Sequence, residues 1–370
     1  MSKYQGIIFA YREEKGLGEL TSNRTAASLP FCGRYRLIDF PLSSLRNAGV
    51  LDVGVIMQRD YQSLLDHIGN GKAWDMSRRS GGLRMLPPFG LPQYHNGNYI
   101  GTMEALNAVG SYLRDSNAEA IILMLGNVAA NIDLAAAIRC YEASGAEALA
   151  ICMDHTPMGE HHRYLVDDNG YVTGMNLYQT GESAGLPSTE AYIFRKDVLL
   201  KLMDYCSSRN FYMFHRSAIA SFLDQGGKML TFIHKGYANS VRSVEEYYKI
   251  SRDMLNSEYR HQMFPADRPV RAKTHEAVST YYGEKSHSVN CLVGDNCIIE
   301  GEIDNCIIFS GVHIAEGAKL HDCIIMKGSD VGAGAELNYI IADKACTFSP
   351  GLHLVGSEKS PTVYAKGSKL

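Results

Sequence analysis

Three groups of residues in this 370-residue chain have types and spacing that chemistry could use. The first is Tyr11-Arg12-Glu13-Glu14-Lys15-Gly16-Leu17, a polar segment that follows the apolar run Gly6–Ala10. Loops leaving the strand ends of open α/β sheets are where ligands bind, so Arg12 and Lys15 are placed to meet a phosphate. Glu13 and Glu14 oppose an anion there, and a solvated loop is the plainer reading. The second group is Leu125-Gly126-Asn127-Val128, at the end of another apolar run. Its amide offers a divalent cation a carbonyl oxygen but no charge. The third is the histidine cluster His155, His161 and His162, whose Asp-His-Thr-Pro-Met-Gly loop fits solvated side chains better than metal ligands. Nine cysteines, an odd number with no Cys-x-x-Cys pair, read as reduced thiols and not as a zinc site.

The elements that must position these residues follow from hydrophobic pattern. Gly6–Ala10, Val53–Met57, Ala120–Leu125 and Ala148–Met153 read as strands, with helices over Tyr61–Ile68, Met103–Leu113 and Leu134–Glu142 between them. That alternation predicts βαβ units and a mostly parallel sheet with helices on both faces. A helix over Ser243–Asn256 leads into a polar stretch around Pro265–Pro269 and Arg271–Thr274, which reads as a linker. Beyond it the pattern changes. Asn305–His321 and Asp322–Asn338 repeat with matching Cys306/Cys323, Ile308/Ile325, Gly311/Gly328 and Leu320/Leu337, and apolar positions step by six through Ile308, Ile314 and Leu320. A hexapeptide period predicts a parallel β-helix, with aliphatic side chains stacked inside and glycines at the corners. The hand of the coil does not follow from the period. Cys297, Cys306 and Cys323 fit inside such a prism as packing groups. His313 and His321 lie in the repeat, where an acyltransferase would use one, but lone histidines at coil corners fit solvated turns. The expected domains are 1–256, a linker at 257–285, and 286–370.

Composition narrows the partners. Apolar residues are 45% and charged residues 21%, and 36 basic against 40 acidic residues leave a net charge of −4, so a packed protein without the footprint of a nucleic-acid binder is expected. No apolar stretch approaches the roughly 18 to 20 residues of a membrane span, and Gly6–Ala10 is too short for a signal-peptide core, so the expectation is a cytoplasmic protein without a membrane partner.

Pro30-Phe31-Cys32-Gly33-Arg34-Tyr35-Arg36-Leu37-Ile38-Asp39-Phe40-Pro41-Leu42-Ser43-Ser44 resembles the P-F-G-G-[KR]-Y-R-[LI]-I-D-F-P-L-S-N signature of bacterial glucose-1-phosphate adenylyltransferases, the ADP-glucose pyrophosphorylases. Gly101-Thr102-Met103-Glu104-Ala105 resembles their G-T-A-[DN]-A, and Ser188-Thr189-Glu190-Ala191-Tyr192 their S-M-G-I-Y. The resemblance runs in order along nearly the whole chain. It implies a Rossmann-like nucleotidyltransferase domain followed by a left-handed parallel β-helix. It also implies a family reaction in which the phosphate of glucose 1-phosphate attacks the α-phosphorus of ATP with Mg²⁺ help.

Against that family the chemistry-bearing positions are degenerate. Tyr11 and Arg12 replace loop glycines, Gly16 stands for the catalytic arginine and Ala26 for the lysine. Asn127 and Ser240 replace the two metal-binding aspartates, and Asn176–Gly181 lacks the E-K-P lysine, while Tyr212-Met213-Phe214 stands about where D-F-G is expected. No catalytic residue and no metal ligand is therefore expected. Gln58, Gly101, Ser188 and Tyr192 match positions that the family uses around nucleotide and sugar, and could retain ligand binding. The pattern resembles the GlgD-type, non-catalytic branch of the family. That implies a regulatory subunit for glycogen biosynthesis, hetero-oligomeric with a homologous catalytic subunit that uses the Mg²⁺, with a small phosphorylated effector as a further partner; Arg34, Arg36 and Arg46 are basic enough to face one. The competing reading is a weakly active sugar-1-phosphate nucleotidyltransferase in which Asp133, Asp154 or Asp167 replaces the lost carboxylates.

Overall fold

The computed structural model describes residues 3–11, 14–79, 81–87, 99–273 and 277–370. Arg12, Glu13 and Thr274 lie outside them. The chain packs as two units, each discontinuous in sequence: Met1–Arg12, Ile38–Ser240 and Met263–Arg271 form one, and Glu13–Leu37, Val241–Gln262 and Ala272–Leu370 the other.

The first unit is built on a nine-stranded sheet. Its strands are β1 (Tyr4–Phe9), β2 (Val53–Ile56), β3 (Leu83–Leu86), β4 (Ala120–Leu125), β6 (Ala148–Met153), β7 (His161–Val166), β8 (Val172–Gln179), β9 (Leu186–Arg195) and β10 (Met229–His234); β5 (Val128–Ala130) and β11 (Ala238–Ser240) make a separate antiparallel ribbon. Strands β3, β2, β1 and β4 run parallel in that order. The antiparallel β9 then separates β4 from β6, which pairs parallel with β10. Every residue of β1, β4 and β6 is buried. Such unbroken apolar runs are what strands covered on both faces require, and this is why they were readable from pattern alone.

Helices α1 (Gln62–Ile68) and α4 (Leu134–Ser144) fall where periodicity places them. The run expected as one helix over 103–113 is broken into α2 (Thr102–Ala108) and α3 (Gly110–Arg114), because Val109 leaves helical geometry at φ −102°, ψ 16°. The middle of the expected linker, Met263–Arg271, belongs to this unit. Asn131 Nδ2 donates to the carbonyls of Met263 (3.0 Å) and Arg268 (2.8 Å), and the Trp74 indole to that of Arg271 (3.1 Å).

In the second unit the chain winds as a left-handed parallel β-helix of three five-stranded parallel sheets. Ile307 pairs with Ile324 and Lys319 with Glu336, which is the 17-residue repeat seen as strand register. Ile308, Ile314 and Leu320 fall in three different sheets and all point inward, so each six-residue step is one face of the prism. Cys297, Cys306, Cys323 and Cys346 are buried in this column as packing groups. Gly311, Gly317, Gly328 and Gly334 have φ of 69 to 77° at the corners, the left-handed region where a Cβ is costly. His313 and His321 are not at corners: both lie on strands with carboxylates beside them, Asp330 at 2.7 Å from His313, and Asp304 and Asp322 at 3.0 Å from His321.

The early segment of this unit packs against α5 (Val244–Asp253) and the coils. Arg24 forms a buried, two-pronged ion pair with Asp343 at 2.5 and 2.8 Å. The Tyr247 and Tyr248 hydroxyls donate to the carbonyls of Pro30 and Asp322.

Candidate functional site

Tyr11 leaves the carboxyl end of β1, where a phosphate loop would begin. Its ring packs edge-on against Tyr99 with centroids 5.1 Å apart, and against Phe9 at 6.1 Å. An aromatic side chain thus occupies what a glycine would leave open to an approaching phosphate. Gly16 pairs with Ser243, and its carbonyl accepts from Val244 N at 2.9 Å. A Cβ on Gly16 would stand 2.8 Å from the Arg242 carbonyl oxygen, so this backbone packs too closely for any side chain. Ala26 is buried in the short helical turn Ala26–Ser28, with no cation in place of the family's lysine.

Asn127 occupies the turn between β4 and β5, and antiparallel pairing sets Ser240 opposite Val128, the next residue along. Both Asn127 and Ser240 are buried. The ribbon therefore sets the two degenerate metal positions one register step apart, and each is uncharged. Protein Mg²⁺ sites rest on one or two carboxylates, and an amide with a hydroxyl supplies oxygen donors but none of that charge. The candidate substitutes are engaged otherwise. Asp133 caps α4 by accepting from Ala136 N at 2.9 Å, and Asp167 closes a turn by accepting from Asn169 N and Tyr171 N, each at 2.9 Å. Asp154 lies 3.1 Å from His155.

Of the four residues expected to line a ligand, the structure joins two. Ser188 Oγ lies 3.0 Å from the Tyr192 hydroxyl, which also contacts the Tyr164 hydroxyl at 3.0 Å and His215 Nε2 at 2.7 Å. Burial pushes both tyrosine hydroxyls well above their ordinary range, so they remain protonated donors. Gln58 follows β2, three strands across the sheet from β9, or about 14 Å at ordinary strand spacing. Gly101 opens α2, and a Cβ there would meet the Tyr212 carbonyl oxygen at 2.3 Å, which is sufficient structural reason for glycine.

The histidines depart from the solvated loop expected of them. His161 and His162 are buried on β7, and only His155 is open to solvent. His162 faces Glu190 at 3.6 Å, and His215 faces the same carboxylate at 3.8 Å. Neither Glu190 nor His215 stands near His162 in sequence, and no spacing rule links the three. A usable signal was Glu190, an acidic residue where the family motif has glycine.

Among the arginines, Arg46 is paired with Asp75 at 2.8 Å. In the second unit Lys344 is driven down to about 7 by burial, with Arg36, Arg24 and Lys366 adding repulsion against the attraction of Asp343.

Residues 13–257 match the family model described as nucleotidyl transferase, and residues 273–361 the GlmU-like, C-terminal hexapeptide family. The chain is similar to the glycogen biosynthesis protein GlgD of Bacillus subtilis (strain 168), 31% identical over 365 residues, which cover 98% of this chain and 95% of that protein. It is similar also to the glucose-1-phosphate adenylyltransferase of Clostridium perfringens (strain 13 / Type A), 28% identical over 324 residues, 84% of this chain and 80% of that one. The same enzyme of Desulfitobacterium hafniense (strain DSM 10664 / DCB-2) is 28% identical over 317 residues, 84% of this chain and 79% of that enzyme. Among the described residues no helix is long and apolar enough to cross a membrane.

Proposed function

The chain belongs to the bacterial glucose-1-phosphate adenylyltransferase family, and from that premise we propose that it is a regulatory subunit of ADP-glucose and glycogen biosynthesis without turnover of its own. The observation that carries this reading is the paired loss of charge at Asn127, in the β4–β5 turn, and Ser240, on β11 one register position away, both buried. Removing one group that stabilises transition-state charge costs about 10² to 10³ in rate, and the positions of Gly16 and Ala26 have lost theirs as well.

What remains is the scaffold of an adenylyltransferase subunit. Its partner in this reading is a homologous catalytic chain, which supplies the Mg²⁺ chemistry while this chain binds no metal at the family's catalytic positions. A small phosphorylated effector is a further partner. The test is ADP-glucose formation from ATP and glucose 1-phosphate with Mg²⁺, measured for the chain alone and mixed with a catalytic homologue. The expected result is no turnover alone, co-purification with the homologue, and altered rate or saturation in the mixture. Turnover by the chain alone, or failure to associate, overturns the proposal.

A further inference from the structure

We propose that His162, Glu190 and His215 form a binding site for one divalent transition-metal ion of the zinc type, separate from the family's catalytic metal positions. One ligand atom from each residue lies within 4.8 Å of the other two, and all three side chains are largely buried. The Nε2 atoms of both rings face the carboxylate, at 3.6 and 3.8 Å, and the ring centroids are 3.9 Å apart. Tetrahedral ligands on bonds of ~2.05 Å stand ~3.3 Å apart, so shifts of well under an ångström bring each histidine–carboxylate pair to bonding geometry. Two imidazoles and one carboxylate select zinc and its neighbours over Mg²⁺, which prefers an all-oxygen shell.

Each ligand is presented by an irregular piece of backbone or from the sheet interior. Glu190 has φ 60°, at a register shift in the pairing of β9 with β6, a left-handed conformation that strains any side chain but suits glycine. His215 lies in a π-helical turn over Phe214–Ile219, a geometry frequent at functional sites. His162 comes from β7. Two neighbouring hydrogen bonds must rearrange for a metal to bind. The Tyr192 hydroxyl, 2.7 Å from His215 Nε2, has Ser188 Oγ at 3.0 Å as another acceptor when a metal takes that nitrogen. The Tyr178 N–H donates to His162 Nδ1 at 3.4 Å, a weak bond that must break for that nitrogen to carry the proton while Nε2 ligates.

The test uses the whole chain, stripped with a chelator and dialysed against Zn²⁺ or Mg²⁺. The expected result is one tightly held Zn²⁺ per chain, a raised melting temperature with Zn²⁺ but not Mg²⁺, and Co²⁺ absorption bands of a low-coordinate site. Glu190→Gly relieves the backbone, so it should fold and melt higher than wild type without metal, yet bind Zn²⁺ at least tenfold more weakly. His162→Gln should lose binding likewise. Absence of stoichiometric Zn²⁺ binding in the wild type, or unchanged stoichiometry and affinity in both variants, overturns the proposal. Neither result bears on whether the chain regulates a catalytic partner.

Discussion

Single side chains decide whether chemistry survives here, and the losses are of different kinds. Asn127 differs from aspartate in charge and Ser240 in both charge and reach, whereas Gly16 lacks space, with the Arg242 carbonyl 2.8 Å from where a Cβ would be. Restoring carboxylates through Asn127→Asp with Ser240→Asp should therefore leave ADP-glucose formation by the isolated chain at least about 10⁴-fold below a catalytic relative, because two further charge-stabilising groups stay absent. Adding Gly16→Arg should lower the melting temperature without adding rate. His234 carries a second prediction. Burial first, and then Arg268, lower its titration to about 4, and its Nε2 is buried without a hydrogen-bond partner among the described residues. In the unfolded chain it titrates near 6.5, so below that pH the unfolded state binds the proton that the folded state refuses. Stability is fully present above about 6.5 and falls as pH drops toward 4, by about 3 kcal/mol in all. Urea unfolding of His234→Phe across that range should show a shallower acid loss than wild type; equal slopes would remove His234 as the cause.

At the scale of elements, what the sequence made legible was whatever local pattern controls. Buried strands announce themselves as apolar runs, and the coils as a six-residue step, because each inward residue must meet its equivalent one turn away. The thiols of Cys306 and Cys323 were readable as packing groups for the same reason. Helix starts were readable too. Ser243 accepts from Glu246 N at 3.1 Å, and the Glu246 carboxylate returns to Arg242 N at 2.7 Å, a reciprocal cap at the head of α5. Ser243→Ala should cost about 1 kcal/mol in denaturant unfolding, and Ser243→Asp should recover most of it. What tertiary contact controls was not legible. His162 looked like part of a polar loop because nothing near it in sequence shows that β7 buries it or that β9 and the π-helical turn bring Glu190 and His215 alongside. The left-handed conformation at Glu190 is likewise imposed by the irregular pairing of β9, since no glycine or asparagine marks it.

Taken whole, the chain does not finish one unit before starting the next: residues 13–37 and 241–262 pack with the β-helix coils, on either side in sequence of the sheet residues 38–240. Arg24 and Asp343 make this concrete, for they are 319 positions apart and their ion pair is almost fully buried. A hexapeptide repeat that folded by itself would have no reason to keep Asp343 inside. The carboxylate is tolerable because Arg24 arrives from the early segment with two charge-assisted bonds. Arg24→Ala should therefore destabilise the β-helix unit by about 3 to 5 kcal/mol, since it strands a buried charge. Asp343→Asn alone should be costly for the converse reason. The double substitution Arg24→Met with Asp343→Leu removes both charges and should recover most of the loss, because apolar groups of similar volume replace a buried pair at little net cost. With the single substitutions Arg24→Met and Asp343→Leu added, unfolding free energies of wild type, these two singles and their double close a cycle. A coupling near zero would mean that this ion pair adds nothing to the stability of the unit, and a large one that a residue read some three hundred positions earlier stabilises the coils through Asp343.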